Sequence, residues 1–271
     1  SPMLAKFHYT LANLGWRYAP HERFILSSHA AYTRERFNNL NRDRLELAAG
    51  HYGEWTLNSN ATWMWSPQHP FDFGFSMRRP RDDGFIYRYQ FNPFAVRPLN
   101  LYRGHGLLAG GYVQQSLSAA EGRILLAAGL RWDRYTANEI AAVSPQVSIG
   151  FHPSASTRFN LGMGQYVQFP ELEALFARYG SRGLLPERAT HYVAAFEQRL
   201  GARSRLRLEA YQRLDRDLLF RPLYEPRLIG GRIFNPPLDP PIRNSVRGYA
   251  RGVEIFLQRR TANRLAGWVS Y

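Results

Sequence analysis

The sequence predicts an all-β chain, an antiparallel up-and-down transmembrane β-barrel with about twelve strands within these residues. Three observations predict it. Residues 123–135 (RILLAAGLRWDRY) alternate without a break: Ile124, Leu126, Ala128, Leu130 and Trp132 share one face, and Leu125, Ala127, Gly129, Arg131, Asp133 and Tyr135 share the other. Ordinary strands run about five or six residues, whereas a tilted strand crossing a bilayer needs about 9–11. Second, short turns and longer connections alternate along the chain. Third, aromatic content is 14%, which suits interfacial belts, and the sequence lacks the run of roughly 18 apolar residues that a membrane helix needs.

The elements follow in order. Residues 5–18 and 23–37 read as the first two strands, but the apolar parity changes between Phe7/Tyr9/Leu11 and Leu14/Trp16/Tyr18, which predicts a bulge. Trp55, Leu57, Ala61, Trp63 and Trp65 then oppose Glu54, Thr56, Asn58, Asn60 and Thr62, and Phe71, Phe73, Phe75 and Met77 oppose Asp72, Gly74, Ser76 and Arg78. After residues 123–135 come Val147, Ile149 and Phe151, then Phe159, Leu161 and Met163, each opposed by polar residues or glycine. Tyr192, Ala194, Phe196 and Leu200 oppose His191, Glu197 and Arg199. Leu206, Leu208, Ala210 and Leu214 oppose Arg205, Arg207, Glu209, Tyr211 and Arg213. Val253, Ile255 and Leu257 oppose Gly252, Glu254 and Gln258, with Arg251 and Phe256 on the wrong faces.

Compact turns are predicted at residues 20–22, 67–70, 119–122, 153–157, 201–204 and 261–264, rich in Pro, Gly, Ser, Thr or Asn. Longer connections are predicted at residues 38–53, 81–105, 136–142, 169–187 and 221–247. An outer-membrane barrel has this rhythm, with tight periplasmic turns and extended outer loops. The 119–122 turn puts the start of the 123–135 strand at the periplasmic side, Trp132 near the outer interface, and Arg131 and Asp133 in the upper lumen.

Charge decides which face meets lipid. An arginine facing lipid at mid-bilayer costs about 2–4 kcal/mol, so Arg205, Arg207 and Arg213 must share a polar lumen. The net charge is +14 and the only Lys is Lys6. Because the arginines are spread along the chain and no recognition module accompanies them, nucleic acid is not an expected partner. They are expected to line the lumen or its rims. A lumen ringed by twelve or more strands is too wide for side chains to fill, so it conducts water or holds a plug.

Catalytic and metal-site patterns are missing: there is no HExxH, GxSxG or paired-carboxylate arrangement and no Cys. The eight histidines show no metal-ligand spacing, and Ser76 and Ser148 have no adjacent base. Neither an enzyme nor a cofactor is expected. Asp82 and Asp83 fall in the 81–105 connection and read as a turn, being far short of the six to eight or so oxygens of a calcium site. Phe169, Glu171, Tyr179 and Asp239 are the other loop candidates for ligand contact. Leu172, Leu175 and Phe176 have helical spacing, which predicts a short helix packed on the barrel mouth. Residues 235–241 (NPPLDPP) read as a stiff loop tip. The lumen candidates for plug or ligand contact are Arg131, Asp133, Arg207, Glu209, Arg213 and Glu254.

The order of motifs, GLRWDRY, VSPQVSIGFHPSASTRFNLGMGQYVQFPELEALF, GLLPERATHYVAAFEQRL, LEAYQRLDRDLLF, GYARGVEIFLQRR and GWVSY, resembles the β-barrel of TonB-dependent outer-membrane receptors. The resemblance runs from about residue 107 to the end, is weaker before it, and rests on the order of the motifs at strand-to-loop transitions. It implies residence in the outer membrane of a Gram-negative bacterium, with a barrel of roughly 22 strands closed by a plug. The implied function is energised uptake of a scarce small nutrient: a siderophore, cobalamin, haem or an oligosaccharide. The implied partners are outer-membrane lipid, the plug domain, the TonB energy-coupling protein and the nutrient. Residues 1–271 are expected to be part of a single barrel domain of a longer protein, with the plug and the closing strand outside them. A passive porin shares the same lumen physics, and a soluble β-rich binding or adhesion protein is the remaining alternative.

Overall fold

The computed structural model describes residues 4–220, 227–234, 241–262 and 265–271. In chain order the elements are β1 (Leu4–His21), β2 (Phe24–Leu40), β3 (Glu46–Met64), β4 (Pro70–Phe91), β5 (Phe94–His105), β6 (Leu108–Ala119), β7 (Ile124–Tyr135), β8 (Ile140–Phe151) and β9 (Thr157–Gln168). They continue with α1 (Leu172–Phe176), β10 (Glu187–Leu200), β11 (Ser204–Phe220), β12 (Arg227–Ile229), β13 (Arg232–Phe234), β14 (Arg243–Ala262) and β15 (Leu265–Ser270). Thirteen strands form one sheet, and β12 and β13 form a separate hairpin. Every pair is antiparallel, in the order β1-β2-β3-β4-β6-β7-β8-β9-β10-β11-β14-β15. β5 pairs with the outer part of β4 (Arg81 to Phe91) and β6 with its inner part (Phe71 to Arg78), so the two share one seat and the sheet has twelve positions. Among the described residues β1 and β15 do not pair with each other, and the barrel is open.

Period-two alternation places the large apolar residues on the outside, where they stay uncovered: Trp55 is 61% exposed, Phe75 47%, Ile149 46% and Val253 63%. So wide an apolar band would be intolerable against water and is what lipid contact requires. The concave face is polar and crowded. Tyr112 reaches across β4 to donate to Asn60 Oδ1 at 3.0 Å, and Arg131 reaches across β6 to Ser76 Oγ at 2.8 Å. Such bonds span two strand spacings, about 10 Å, and need the intervening residue to be small. A Cβ on Gly74 would lie 2.7 Å from the Tyr112 ring, and one on Gly110 would lie 2.0 Å from Asp133 Oδ1.

Several connections differ from the sequence expectation. Residues 81–105 form no loop: β4 and β5 continue as a hairpin that turns at Asn92-Pro93. Asp82 and Asp83 are therefore strand residues on opposite faces and not part of a turn. Ring contacts hold this extension together above the bilayer, Phe85 to Tyr87 at 4.6 Å and Tyr89 to Phe94 at 6.4 Å. The 38–53 connection shrinks to residues 41–45, closed by Asn41 Oδ1 accepting the Leu45 N–H at 2.8 Å. The 136–142 connection shrinks to residues 136–139, with Glu139 at φ 57°.

The bulge expected in β1 is not there, because register with β2 is unbroken from Leu4 to Tyr18. The parity change has another cause. Leu14, Trp16 and Tyr18 face outward in the inner half of the strand. In the outer half Lys6, His8 and Thr10 take the outward positions, and Phe7, Tyr9 and Leu11 turn to the concave side. Arg251 stays outward and lies over the Tyr249 ring at 5.7 Å, while Phe256 faces the lumen and stacks on Trp268 at 6.3 Å.

Candidate functional site

A cavity of about 770 Å³ opens at the outer end of the lumen, within the usual range for small-ligand pockets. Tyr52 and Glu54 of β3, Ser76, Arg78 and Asp82 of β4, Tyr102 of β5, and Arg131, Asp133 and Tyr135 of β7 line it. Each alternates with an outward apolar or basic neighbour, so the strand period aims it inward. Arg78 grips Glu54 with two parallel bonds, Nε to Oε1 at 3.0 Å and Nη2 to Oε2 at 2.9 Å. Tyr52 and Thr56 donate to the same carboxylate at 2.7 and 3.1 Å. Arg131 holds Asp133, which is 7% exposed, with bonds of 2.7 and 2.6 Å. Both arginines keep about half or less of their side chain exposed (51% for Arg78, 41% for Arg131). Their charge is fixed within the wall yet presented to the cavity.

Residues 169–187 form the roof. α1 buries Leu172 and Leu175, each 3% exposed, with Tyr135, Ala137 and Leu184 in the main apolar core among the described residues. The short spacing of leucines that predicted a helix also supplies this packed face. Phe169 meets the Tyr135 ring edge-on at 5.7 Å, and Phe176 sits where a Cβ on Gly104 would come within 2.6 Å. Polar clips fix the roof to the wall. Asn138 donates to the Leu184 carbonyl at 2.9 Å, and Asn244 accepts from Leu185 N–H at 2.8 Å and donates to its carbonyl at 2.9 Å. Glu173 accepts from Asn100 Nδ2 at 2.9 Å and from the Tyr179 hydroxyl, which ties α1 to β5.

Carboxylates collect under this roof. Asp82 lies above the lipid belt, since its outward-facing neighbours along the strand are the charged Arg81 and Asp83. Burial, then the charge of Glu173, push its carboxyl up to about 6 against an opposing hydrogen bond from Tyr102, with smaller help from the charges of Asp83 and Glu171. Burial raises the Tyr52 and Tyr102 hydroxyls above the ordinary tyrosine range, with neighbouring Glu54 and Asp82 acting in the same sense. For Asp82 a folded pKa above the unfolded value means that roof closure is favoured while Asp82 is protonated. That contribution is complete near pH 4 and is lost as pH rises through about 6. Partial exposure screens it to on the order of 1 kcal/mol. Amide exchange in α1, corrected for intrinsic rates, is expected to slow several-fold between pH 7.5 and pH 5, and Asp82→Asn to flatten that dependence. An unchanged pH dependence in the variant would remove Asp82 from this role.

The candidate residues divide into groups. Arg131, Asp133, Asp82, Phe169 and Glu171 come together around the cavity. Asp83 faces outward and lies 3.4 Å from His51, and Tyr179 sits on the roof. Arg207, Glu209, Arg213 and Glu254 line the lumen face of β11 and β14, away from the cavity. There Arg207 pairs with Glu209, Arg213 bonds Asp215 at 2.7 Å, and Glu254 stands opposite Glu209. Asp239 lies outside the described residues. Tyr52, Glu54, Arg78, Asn100 and Tyr102 were not among the candidates. Alternation marks Glu54 and Arg78 as polar-face residues, but only the register pairing Glu54 with Pro80 and Thr56 with Arg78 shows that the two meet. Among the described residues no group of three or more His, Asp or Glu could hold a metal ion.

A polar lumen inside a lipid-facing antiparallel wall, with compact turns at one end and an elaborated roof at the other, defines an outer-membrane-type barrel. The family model for the TonB dependent receptor-like β-barrel matches residues 4–271, and the chain belongs to that family. Among solved structures it resembles the FrpB iron transporter of Neisseria meningitidis (TM-score 0.69, 13% identity, 94% of this chain and 42% of that one). It also resembles the copper transporter OprC (TM-score 0.69, 18% identity, 96% and 45%). A third is the Serratia marcescens hemophore receptor HasR, solved with its hemophore HasA and heme (TM-score 0.67, 13% identity, 96% and 47%). The chain thus spans less than half the length of each. Comparison with curated proteins found no match.

Proposed function

We propose that the chain forms part of the wall of an outer-membrane receptor that takes up a scarce nutrient in a TonB-coupled manner. In this reading residues 1–271 belong to a single barrel domain, and an N-terminal plug closes the lumen and relays the pull of TonB. The observation that carries the proposal is the roofed cavity at the outer mouth, whose charged walls are held by Arg78–Glu54 and Arg131–Asp133. A passive channel has no use for a packed roof over its entrance. The solved neighbours are transporters of iron and copper and a receptor solved with its hemophore and heme, which supports a metal-bearing cargo such as a siderophore complex or haem. Cobalamin and oligosaccharide remain in the same size class.

The test uses the full-length protein in cells and in planar bilayers. Uptake of radiolabelled iron chelates or haem by expressing cells is expected to stop when a protonophore collapses the inner-membrane gradient. The purified protein is expected to pass no steady ion current. Steady conductance together with uptake that survives the protonophore would establish the porin reading instead.

A further inference from the structure

The charge of +14 is not confined to the lumen. Five lumen-facing arginines, at positions 78, 131, 205, 207 and 213, each have a carboxylate within 4.0 Å. A cluster of arginines without such partners lies on the outside of the wall, on β2, β4 and β5. The register aligns Arg34 of β2, Gly53 of β3 and Arg81 of β4 in one outward row. One step further out, Arg36, His51, Asp83 and Arg103 form the next row, and one step further in, Arg79 stands beside Trp55 and Tyr32.

All five of these arginines are exposed, and among the described residues none has a carboxylate within 4.0 Å. Asp83, the acid among them, is turned to His51 at 3.4 Å. Gly53 leaves a hollow between Arg34 and Arg81, since a Cβ there would meet nothing closer than 3.9 Å. The ring pair Tyr32 and Trp55, tilted against each other with centroids 4.6 Å apart, marks the edge of the apolar belt directly beneath.

We propose that this patch binds the phosphate groups of outer-leaflet lipid headgroups, with Arg34 and Arg81 clasping one phosphate over Gly53. The chemistry and the position agree. Guanidinium forks match phosphate oxygens with paired, charge-assisted bonds, and the patch is continuous with the face already given to lipid. Basic residues just beyond a hydrocarbon belt meet anionic headgroups at their own level. Neutral lipid would leave five guanidiniums crowded together without counter-charge. The inference rests on the barrel lying in a bilayer and is independent of what the lumen transports.

The test takes the full-length receptor, delipidated in non-ionic detergent, and titrates it with phosphate-bearing glycolipid extracted from the host outer membrane. The same glycolipid after phosphatase treatment serves as comparison. The unaltered receptor is expected to bind the intact lipid about tenfold more tightly than the treated one, and to lose that preference at high salt. The double variant Arg34→Gln/Arg81→Gln is expected to lose about tenfold in affinity, whereas the lumen variant Arg207→Gln keeps it. Equal binding of intact and treated lipid by the unaltered receptor overturns the proposal, whether or not the variants fold. So does preferential capture of an acidic soluble protein. Intact lipid binding without nutrient uptake would fail the transport reading alone.

Discussion

Replacing Ile149 or Leu208 with arginine is expected to block assembly of the barrel into a bilayer. Ile149 stands on the outward face of β8 between Leu126 and Leu161, and Leu208 on that of β11 between Phe196 and Ile255. All six side chains are apolar, so an introduced guanidinium finds no counter-charge and must enter hydrocarbon. The cost is about 2–4 kcal/mol for each substitution near the midplane, a large part of a typical stability of some 5–15 kcal/mol. Ser148→Arg supplies the control. Ser148 lies opposite Gly162 on the lumen face, where a Cβ at Gly162 would touch nothing within 4 Å. The compact, heat-modifiable band of the full-length protein on gels is expected to disappear for the first two variants and persist for the third. Normal assembly of Ile149→Arg would contradict the lipid-facing assignment.

The roof gives the second large effect. Leu172→Ala with Leu175→Ala removes two side chains that are each 3% exposed from the apolar core over the cavity. Such truncations cost about 2–5 kcal/mol apiece, and here the loss falls on one helical turn and its clips. Barrel strands do not depend on it. Local opening of residues 169–187 is therefore expected to rise by orders of magnitude while the barrel stays folded. Arg178 and Arg182 follow α1 and provide the readout, because trypsin cuts there only when the segment unfolds locally. Rapid cleavage at these two sites with an intact heat-modifiable band is the expected result. Unchanged protection would mean that the polar clips hold the roof without the leucines.

Much of this architecture was legible along the chain. The inner turns and the faces of β3, β4, β7 and β11 follow from alternation, because lipid on one side and water on the other impose period two on each strand separately. The short helix was legible from three apolar residues at helical spacing. The outer connections were misjudged for a definite reason. Above the bilayer nothing punishes a charged outward side chain, so β4 and β5 carry Arg79, Arg81 and Arg103 outward and look like loop to a reading based on apolar alternation. Their aromatic contacts and continued backbone pairing keep them strand. The outer half of β1 misled in the same way, its parity changing where the lipid ends and not where the backbone kinks.

The sequence by itself determined which residues can meet lipid and which must meet water, since both are properties of one strand and its period. Only the tertiary structure decided which of those residues meet one another. Register brings Glu54 to Arg78, gathers Asp82, Tyr102 and Glu173 under one roof from three elements, and stacks Arg34 and Arg81 on the outside around Gly53. Partners two strands apart in the sheet can be more than fifty residues apart in the chain, as Arg131 and Ser76 are. Periodicity within a strand contains no trace of such pairs.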